Sequence, residues 1–318
     1  MAVQLKTNGK FNFVVNAHNH SEFAMTGQGL AMGYLAYLLA EEGHNVYVFA
    51  NVIYPHKNIH VLKSFIHESS DIPGGTSYSW EQFVYPLDKT IIINSQDQYG
   101  NPIGIPNSAR WILHDTKKNI EDTWHVDEPY FNYGMFRTFN NKENNQLTAM
   151  NFYFDVFKNE KQSNRKGFCH LFHKHTSPQA NNFTKELNSK ELSTHGVTIL
   201  DKDFHKKINE EFNKHEYFIT YDQKSFWPSV AALCGCKVIV MNSPDNPNSY
   251  YDCNVTPEEY RKDNPLNKYG VAFGFEDLQH ALDTQHLVKN HLKELDKENK
   301  KTVKAFIEFW ENPWNLAT

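Results

Sequence analysis

Between Phe11 and Ala50 the chain passes from a short apolar run (FNFVVN, 11–16) through a polar loop into a helical stretch (LAMGYLAYLLAEEG, 30–43), and then into a second apolar run (NVYVFA, 45–50). In the helical stretch Leu30, Tyr34 and Leu38 recur at i, i+4 and i+8 with Ala31, Leu35 and Leu39 beside them, which makes one face broadly apolar. Gly43 is placed to stop the helix. Strand, loop, helix and strand in that order make a βαβ unit, whose crossover is right-handed and whose strands are parallel. This is the opening of a Rossmann-like domain.

The rest of the chain extends the alternation. TIIIN (90–94) reads as a third strand, followed by the turn-rich SQDQYGNPIGIPN and a short helix candidate, SARWILHD (108–115). From 120 to 155 the sequence is aromatic and irregular. The polar stretch KNEKQSNRK (158–166) is the expected boundary, because it offers no large apolar side chain to a core. Beyond it come GFCHLFH (167–173), VTIL (197–200), a helix over about 203–213, YFIT (217–220), a helix from Ser225 to Cys234, KVIVM (237–241) and KYGVAFG (268–274). Strands alternating with helices again imply a parallel sheet covered on both faces. The remainder is helical to Trp310, with any interruption falling around 283–285. The expected organisation is an N-terminal Rossmann-like domain over 1–158, a second over 159–290, and a C-terminal helix over 291–318.

Composition narrows the function classes. A chain of 318 residues with 40% hydrophobic and 22% charged residues can bury a substantial core and is not a disordered chain. Its formal net charge of -5 provides no global field for a polyanion, although a local basic patch remains compatible with it. The cysteines Cys169, Cys234, Cys236 and Cys253 match neither zinc-ribbon nor C-x-x-C spacing and read as reduced thiols. The N-terminal apolar run is too short for a signal peptide, and no stretch has the ~20 apolar residues of a membrane span, so a cytoplasmic protein is expected.

Ligands of open α/β sheets bind at the carboxyl ends of the strands, which selects the candidate site residues. After the strand YFIT, Tyr221 and Asp222 lie in a short turn where they can reach a sugar or ribose hydroxyl. Ser225 stands as an N-cap, Pro228 is tolerated in the first helical turn, and Ser229 is expected at the same end; such a helix start suits a phosphate. A capped core helix without ligand is the alternative reading. Arg165, Lys166 and Lys174 flank the strand GFCHLFH, and cations at both of its ends are expected to converge on a diphosphate. Gly27 and Gly29 open the first helix as a G-x-G turn that lets a ligand approach backbone, but Met32 holds the place of a third glycine and no acidic residue ends the second strand, which argues against a nicotinamide dehydrogenase. His18, His20 and Glu22 follow the first strand as candidate acid/base groups. The pairs His18/His20 and His173/His175 lack identifiable third and fourth ligands for a metal site. Asp201 and Asp203 form a D-x-D, with Asp203 better placed as a helix cap than as an ion ligand.

Taken in order, five segments resemble nucleotide-sugar-dependent glycosyltransferases of the GT-B type, as found in bacterial surface-polysaccharide clusters and in large DNA viruses and phages. They are the opening with Gly27 and Gly29, GNPIGIPNSARWIL (with Asn101, Pro102, Arg110 and Trp111), RKGFCHLFHK, SFWPSVAALCGCKVIV and TPEEYRKDNPLNKYGVAFG. The resemblance implies two facing Rossmann-like domains, with the donor held chiefly by the second, the acceptor by the first, and the last helix crossing back. It implies that Arg165 or Lys166, with Lys174, neutralise the diphosphate, and that Tyr221, Asp222, Ser225 and Ser229 surround phosphate and sugar. No essential metal cofactor is then needed, since basic side chains and a helix dipole stabilise the leaving group. The Glu-x7-Glu arrangement of many retaining members is absent from the donor helix, so stereochemistry stays open. The expected activity is sugar transfer from a nucleotide diphosphate sugar to a hydroxyl acceptor, a glycan or glycoconjugate. Glycosylation of a modified DNA base and a non-catalytic nucleotide- or sugar-binding module are the alternatives.

Overall fold

A computed structural model describes residues 3–4, 10–16, 27–48, 54–62, 66–68, 76–78, 83–84, 87–96, 100–101, 104–113, 128–134, 145–171, 178–192, 203–242 and 255–312. The chain divides into two compact units, one comprising Met1–Asn151 with Glu298–Thr318 and the other Phe152–Lys297.

The first unit is built on six strands: β1 (Asn12–Asn16), β2 (Asn45–Val48), β3 (Ile59–Val61), β4 (Thr90–Ser95), β5 (Ser108–Ile112) and β6 (Tyr130–Asn132). They pair in parallel throughout, in the order β6-β5-β4-β1-β2-β3. This is the doubly wound order, which reverses between β1 and β4. Every residue of β1, β2, β4 and β5 is buried, as expected of strands covered on both faces. The helix α1 (Gly27–Glu41) joins β1 to β2 and buries Ala31, Met32, Leu35, Ala36, Leu38, Leu39 and Ala40. It ends as expected at Gly43, whose φ of +87° closes a Schellman turn in which the Gly43 and His44 N–H groups reach the carbonyls of Ala40 and Leu39.

SARWI is a strand, not a helix. It fills the place between β4 and β6, where Ala109 and Trp111 are wholly buried and the Trp111 Nε1–H donates to Leu147 O at 2.7 Å. Its local pattern suits a helix, but two parallel neighbours supply the backbone partners that the isolated segment lacks.

The second unit carries β7 (Phe168–His170), β8 (Lys190–Glu191), β9 (Tyr217–Thr220), β10 (Lys237–Val240) and β11 (Val271–Phe273), all parallel, in the order β8-β7-β9-β10-β11. The order reverses between β7 and β9. Helices α2 (Pro178–Glu186), α3 (Phe204–Lys214), α4 (Trp227–Leu233), α5 (Pro257–Asp263) and α6 (Leu278–Thr284) complete it, with a single 3-10 turn before α7 (Val288–Glu311). Residues 197–200, read as a strand, lie outside the described residues. Within the first unit the end of α7 buries Val303, Phe306 and Trp310, and the Phe306 ring meets Phe131 edge-on at 4.7 Å.

The segment that opens the second unit packs against α3 rather than standing free. Phe157 is 1% exposed, and the side chains of Asn209 and Asn213, one turn apart on α3, accept from the N–H groups of Lys158 and Glu160 at 3.2 and 2.9 Å. Cys169, Cys234 and Cys236 are buried free thiols, and burial pushes Cys169 and Cys234 up, away from the reactive thiolate. Cys253 lies outside the described residues. Among the described residues no helix is long and apolar enough to cross a membrane.

Candidate active site

In the second unit the carboxyl edge at the switch point is formed where β7 and β9 end. Thr220, the last residue of β9, donates its Oγ1–H to Leu171 O at 2.8 Å and accepts the Asp222 N–H at 3.1 Å, so the chain turns sharply as it leaves the sheet. Tyr221, Asp222 and Gln223 follow with exposures of 8%, 5% and 7%, a buried polar run where a surface turn would be solvated. Burial raises the pKa of the Tyr221 phenol. The Gln223 Nε2–H donates to Asn242 Oδ1 at 3.1 Å, while its Oε1 is buried with no hydrogen-bond partner.

This loop is held from behind by the segment TPEEYRKDNPLN. Thr256 and Glu259 close a capping box at the start of α5: Thr256 Oγ1 accepts the Glu259 N–H at 3.3 Å, and Glu259 Oε2 accepts the Thr256 N–H at 2.8 Å. Tyr260, stacked on Phe273 at 4.5 Å, donates its O–H to Gln223 O at 3.1 Å. Asn267 donates from Nδ2 to the Tyr260 oxygen at 3.1 Å and to Ser225 O at 3.3 Å. Two loop carbonyls are thereby fixed by side chains that are themselves fully buried. Tyr260 and Asn267 have no chemical signature in the sequence beyond an ordinary amphipathic pattern; only the fold shows what they hold.

Several expected donor contacts are relocated. Ser225 acts as a cap in substance, since its Oγ accepts the Trp227 N–H at 3.3 Å, although the helix itself starts at Trp227. Ser229 is 0% exposed and donates its single hydroxyl hydrogen to Asn267 Oδ1 (2.6 Å), with Leu266 O also within 3.1 Å, so it is a buried tie. With the Trp227 N–H taken and Pro228 having none, the start of α4 offers a phosphate few donors.

Arg165 and Lys166 are corrected more fully. Both precede β7 and therefore lie at the amino edge of the sheet, the opposite edge from Tyr221 to Ser225. The two ends of a strand cannot converge on one diphosphate when the sheet separates them. Arg165 donates to Phe212 O (2.8 Å), Cys234 O (2.6 Å), Asn213 Oδ1 (2.8 Å) and Asn159 Oδ1 (3.0 Å). Its guanidinium thus closes the carbonyl ends of α3 and α4, where a cation is favourable. Lys166 is exposed. Lys174 lies outside the described residues, as do His18, His20, Glu22, His173, His175, Pro102 and Asp201. Asp203 occupies the N-cap position of α3 without a side-chain capping bond.

Gly27 and Gly29 sit in the first turn of α1 in the first unit, and a Cβ placed on Gly27 would meet nothing within 4 Å. Approach to backbone is open there. Among the described residues no group of three or more His, Cys, Asp or Glu side chains is arranged to hold a metal ion.

No family model matches the chain, and no curated protein matches it. Among solved structures it is similar to one described as the crystal structure of TarM, with 9% identity and a TM-score of 0.29, over 72% of this chain and 55% of that one. The chain thus spans about half of that structure's length.

Proposed function

We propose that the protein is a glycosyltransferase of the GT-B type, which moves a sugar from a nucleotide diphosphate sugar to a hydroxyl acceptor, a glycan or glycoconjugate. The observation that carries this reading is the clamped loop Tyr221–Ser225 at the switch point of the second parallel sheet. One of its side chains, Gln223, brings a buried acceptor oxygen, Oε1, that has no partner. Ribose and hexose hydroxyls are donors of the kind such an oxygen accepts. The loop carbonyls are prepaid in geometry by Tyr260 and Asn267, which is how a site avoids reorganisation on binding. The order of the five sequence segments supports the same reading.

In this mechanism the loop orients the donor through its hydroxyls, and the leaving diphosphate is neutralised from elsewhere, with Lys174 the remaining cationic candidate. His18, His20 and Glu22 remain the candidates for the group that accepts the acceptor proton. No metal is required by the reading.

The test is a thermal-shift and hydrolysis panel of nucleoside diphosphates and nucleotide sugars with and without Mg2+. A ligand at about 100 times its Kd adds roughly 2.7 kcal/mol to the folded state. A selective shift with one nucleotide sugar, with slow hydrolysis that survives EDTA, is expected. Shifts with nucleotides but no turnover on any acceptor would replace the enzyme with a binding module.

A further inference from the structure

Among the described residues other than glycine, Tyr153, Lys161 and Asn188 carry a positive φ, of +47°, +55° and +49°. The last two have ordinary local causes. Asn188 ends α2, where the N–H groups of Asn188 and Ser189 reach the carbonyls of Lys185 and Thr184, and asparagine tolerates the left-handed region. Lys161 closes a tight turn in which its N–H reaches Asn159 Oδ1 at 2.8 Å. Tyr153 is a bulky aromatic residue, for which this conformation is a genuine outlier. A strained backbone of this kind persists only where its surroundings over-determine it, and such places cluster at switches and binding sites.

The contacts that hold Tyr153 lead to the candidate loop. Its carbonyl oxygen accepts the N–H groups of Val156 and Phe157, both at 2.8 Å, which folds the segment back on itself. Its ring lies on the His205 ring of α3, with centroids 4.2 Å apart and planes at 29°. Phe157 and Phe226 meet it edge-on at 6.2 and 6.3 Å. His205 Nε2 is buried with no hydrogen-bond partner, so that nitrogen adds no polar tie and the ring holds Tyr153 by its face. Phe226 directly follows Ser225 and occupies the N-cap position of α4. The loop is thus gripped at Gln223 and Ser225 by Tyr260 and Asn267, and bounded at Phe226 by Tyr153. Tyr153 and Phe226 are only half-buried, so the strain is not a by-product of filling the core.

We infer that Tyr153 is a positioning residue, a strained strap that braces the end of the loop Tyr221–Ser225 through Phe226 and whose release loosens that loop. The strain gives the strap two states. With the ring seated on His205 and against Phe226, the contacts outweigh the backbone cost; with a neighbour withdrawn, Tyr153 relaxes to negative φ and Phe226 loses its brace. All of these residues belong to the second unit. The functional meaning rests on the loop being the candidate site, while the bracing itself is measured without ligand.

The test is hydrogen exchange read by mass spectrometry on the full chain. In Tyr153→Gly, which removes ring and strain together, exchange at the amides of Asp222 to Trp227 is expected to quicken about tenfold while β9 and β10 stay protected. Tyr153→Phe keeps the ring and should restore slow exchange. His205→Ala should match Tyr153→Gly, and the double variant should go no further, because both remove one brace; His205→Ala carries the comparison if Tyr153→Gly does not fold. Tyr153→Ala keeps the strain without the ring, and its folding equilibrium in urea should lie about fivefold below that of Tyr153→Gly. Equal stability of those two variants would show that no strain is stored. Loop exchange that is unchanged, or that quickens equally in β9 and β10, would reduce Tyr153 to a structural residue. A loosened loop in a chain that binds no nucleotide would remove the proposed function and leave the strap, so the two readings fail separately.

Discussion

At the scale of single residues, charge and chemistry are read easily from sequence while employment is not. Arg165 has the right chemistry for a diphosphate, yet it spends its donors on the last carbonyls of two helices and on two asparagines. Arg165→Ala is therefore expected to lower stability by about 2 kcal/mol, the scale of one charge-assisted hydrogen bond in a part-exposed setting. Urea titration reads this as a lower midpoint at unchanged slope. Nucleoside diphosphate affinity should not move. Wild-type stability combined with weakened affinity would return Arg165 to the donor site. Ser229 teaches the same lesson, since a hydroxyl near a helix start and a hydroxyl tying two buried segments look alike in a sequence.

At the scale of elements, α1 and the strands β1, β2, β4, β7, β9, β10 and β11 were legible because their apolar runs and the Gly43 stop are local signals, whereas the short strands β3, β6 and β8 carry no such run. SARWI was not legible, because what makes it a strand is the pair of neighbours on either side. The clamp behind the candidate loop is likewise an assembly of distant pieces, joined through Tyr260 and Asn267. Tyr260→Phe keeps the ring stacked on Phe273 and removes the hydroxyl that fixes Gln223 O. It is expected to cost about 1 kcal/mol and to leave the buried Gln223 carbonyl wanting a donor. Hydrogen exchange should quicken at the amides of Asp222 to Ser225 while the β9 and β10 amides stay protected. Unchanged exchange across the loop would show that the clamp does not hold it.

At the scale of the whole molecule, each unit encloses a histidine that burial keeps neutral. His44, against Phe11 and Phe13 in the first unit, is lowered to about 4 by desolvation first and by Lys10 second. His205, stacked on Tyr153 at 4.2 Å in the second, is lowered to about 4 by desolvation, with Asp155 opposing. The unfolded chain takes up these protons near pH 6.5 and the folded chain only near 4, so unfolding binds protons in between. Stability from this source is complete above about pH 6.5 and is lost as pH falls towards 4. His44→Phe and His205→Phe should each flatten the acid limb of a melting-temperature profile, whereas an unchanged limb in the double variant would assign acid sensitivity to other groups.

By itself the sequence determined the α/β class and most of the strands and helices, because hydrophobic period and helix-stopping glycines act over a few residues. It also marked Tyr221, Asp222 and Ser225 as a turn at a carboxyl edge, since a strand followed by a short polar turn and a helix has that geometry wherever it occurs. Only the tertiary structure decided which edge of the sheet Arg165 and Lys166 occupy, which serine is buried, and that Arg110, in a segment read as a helix, lies in a strand and pairs with Glu128. Those outcomes depend on partners far along the chain, and a hydrogen bond exists only where the fold brings donor and acceptor within about 3 Å.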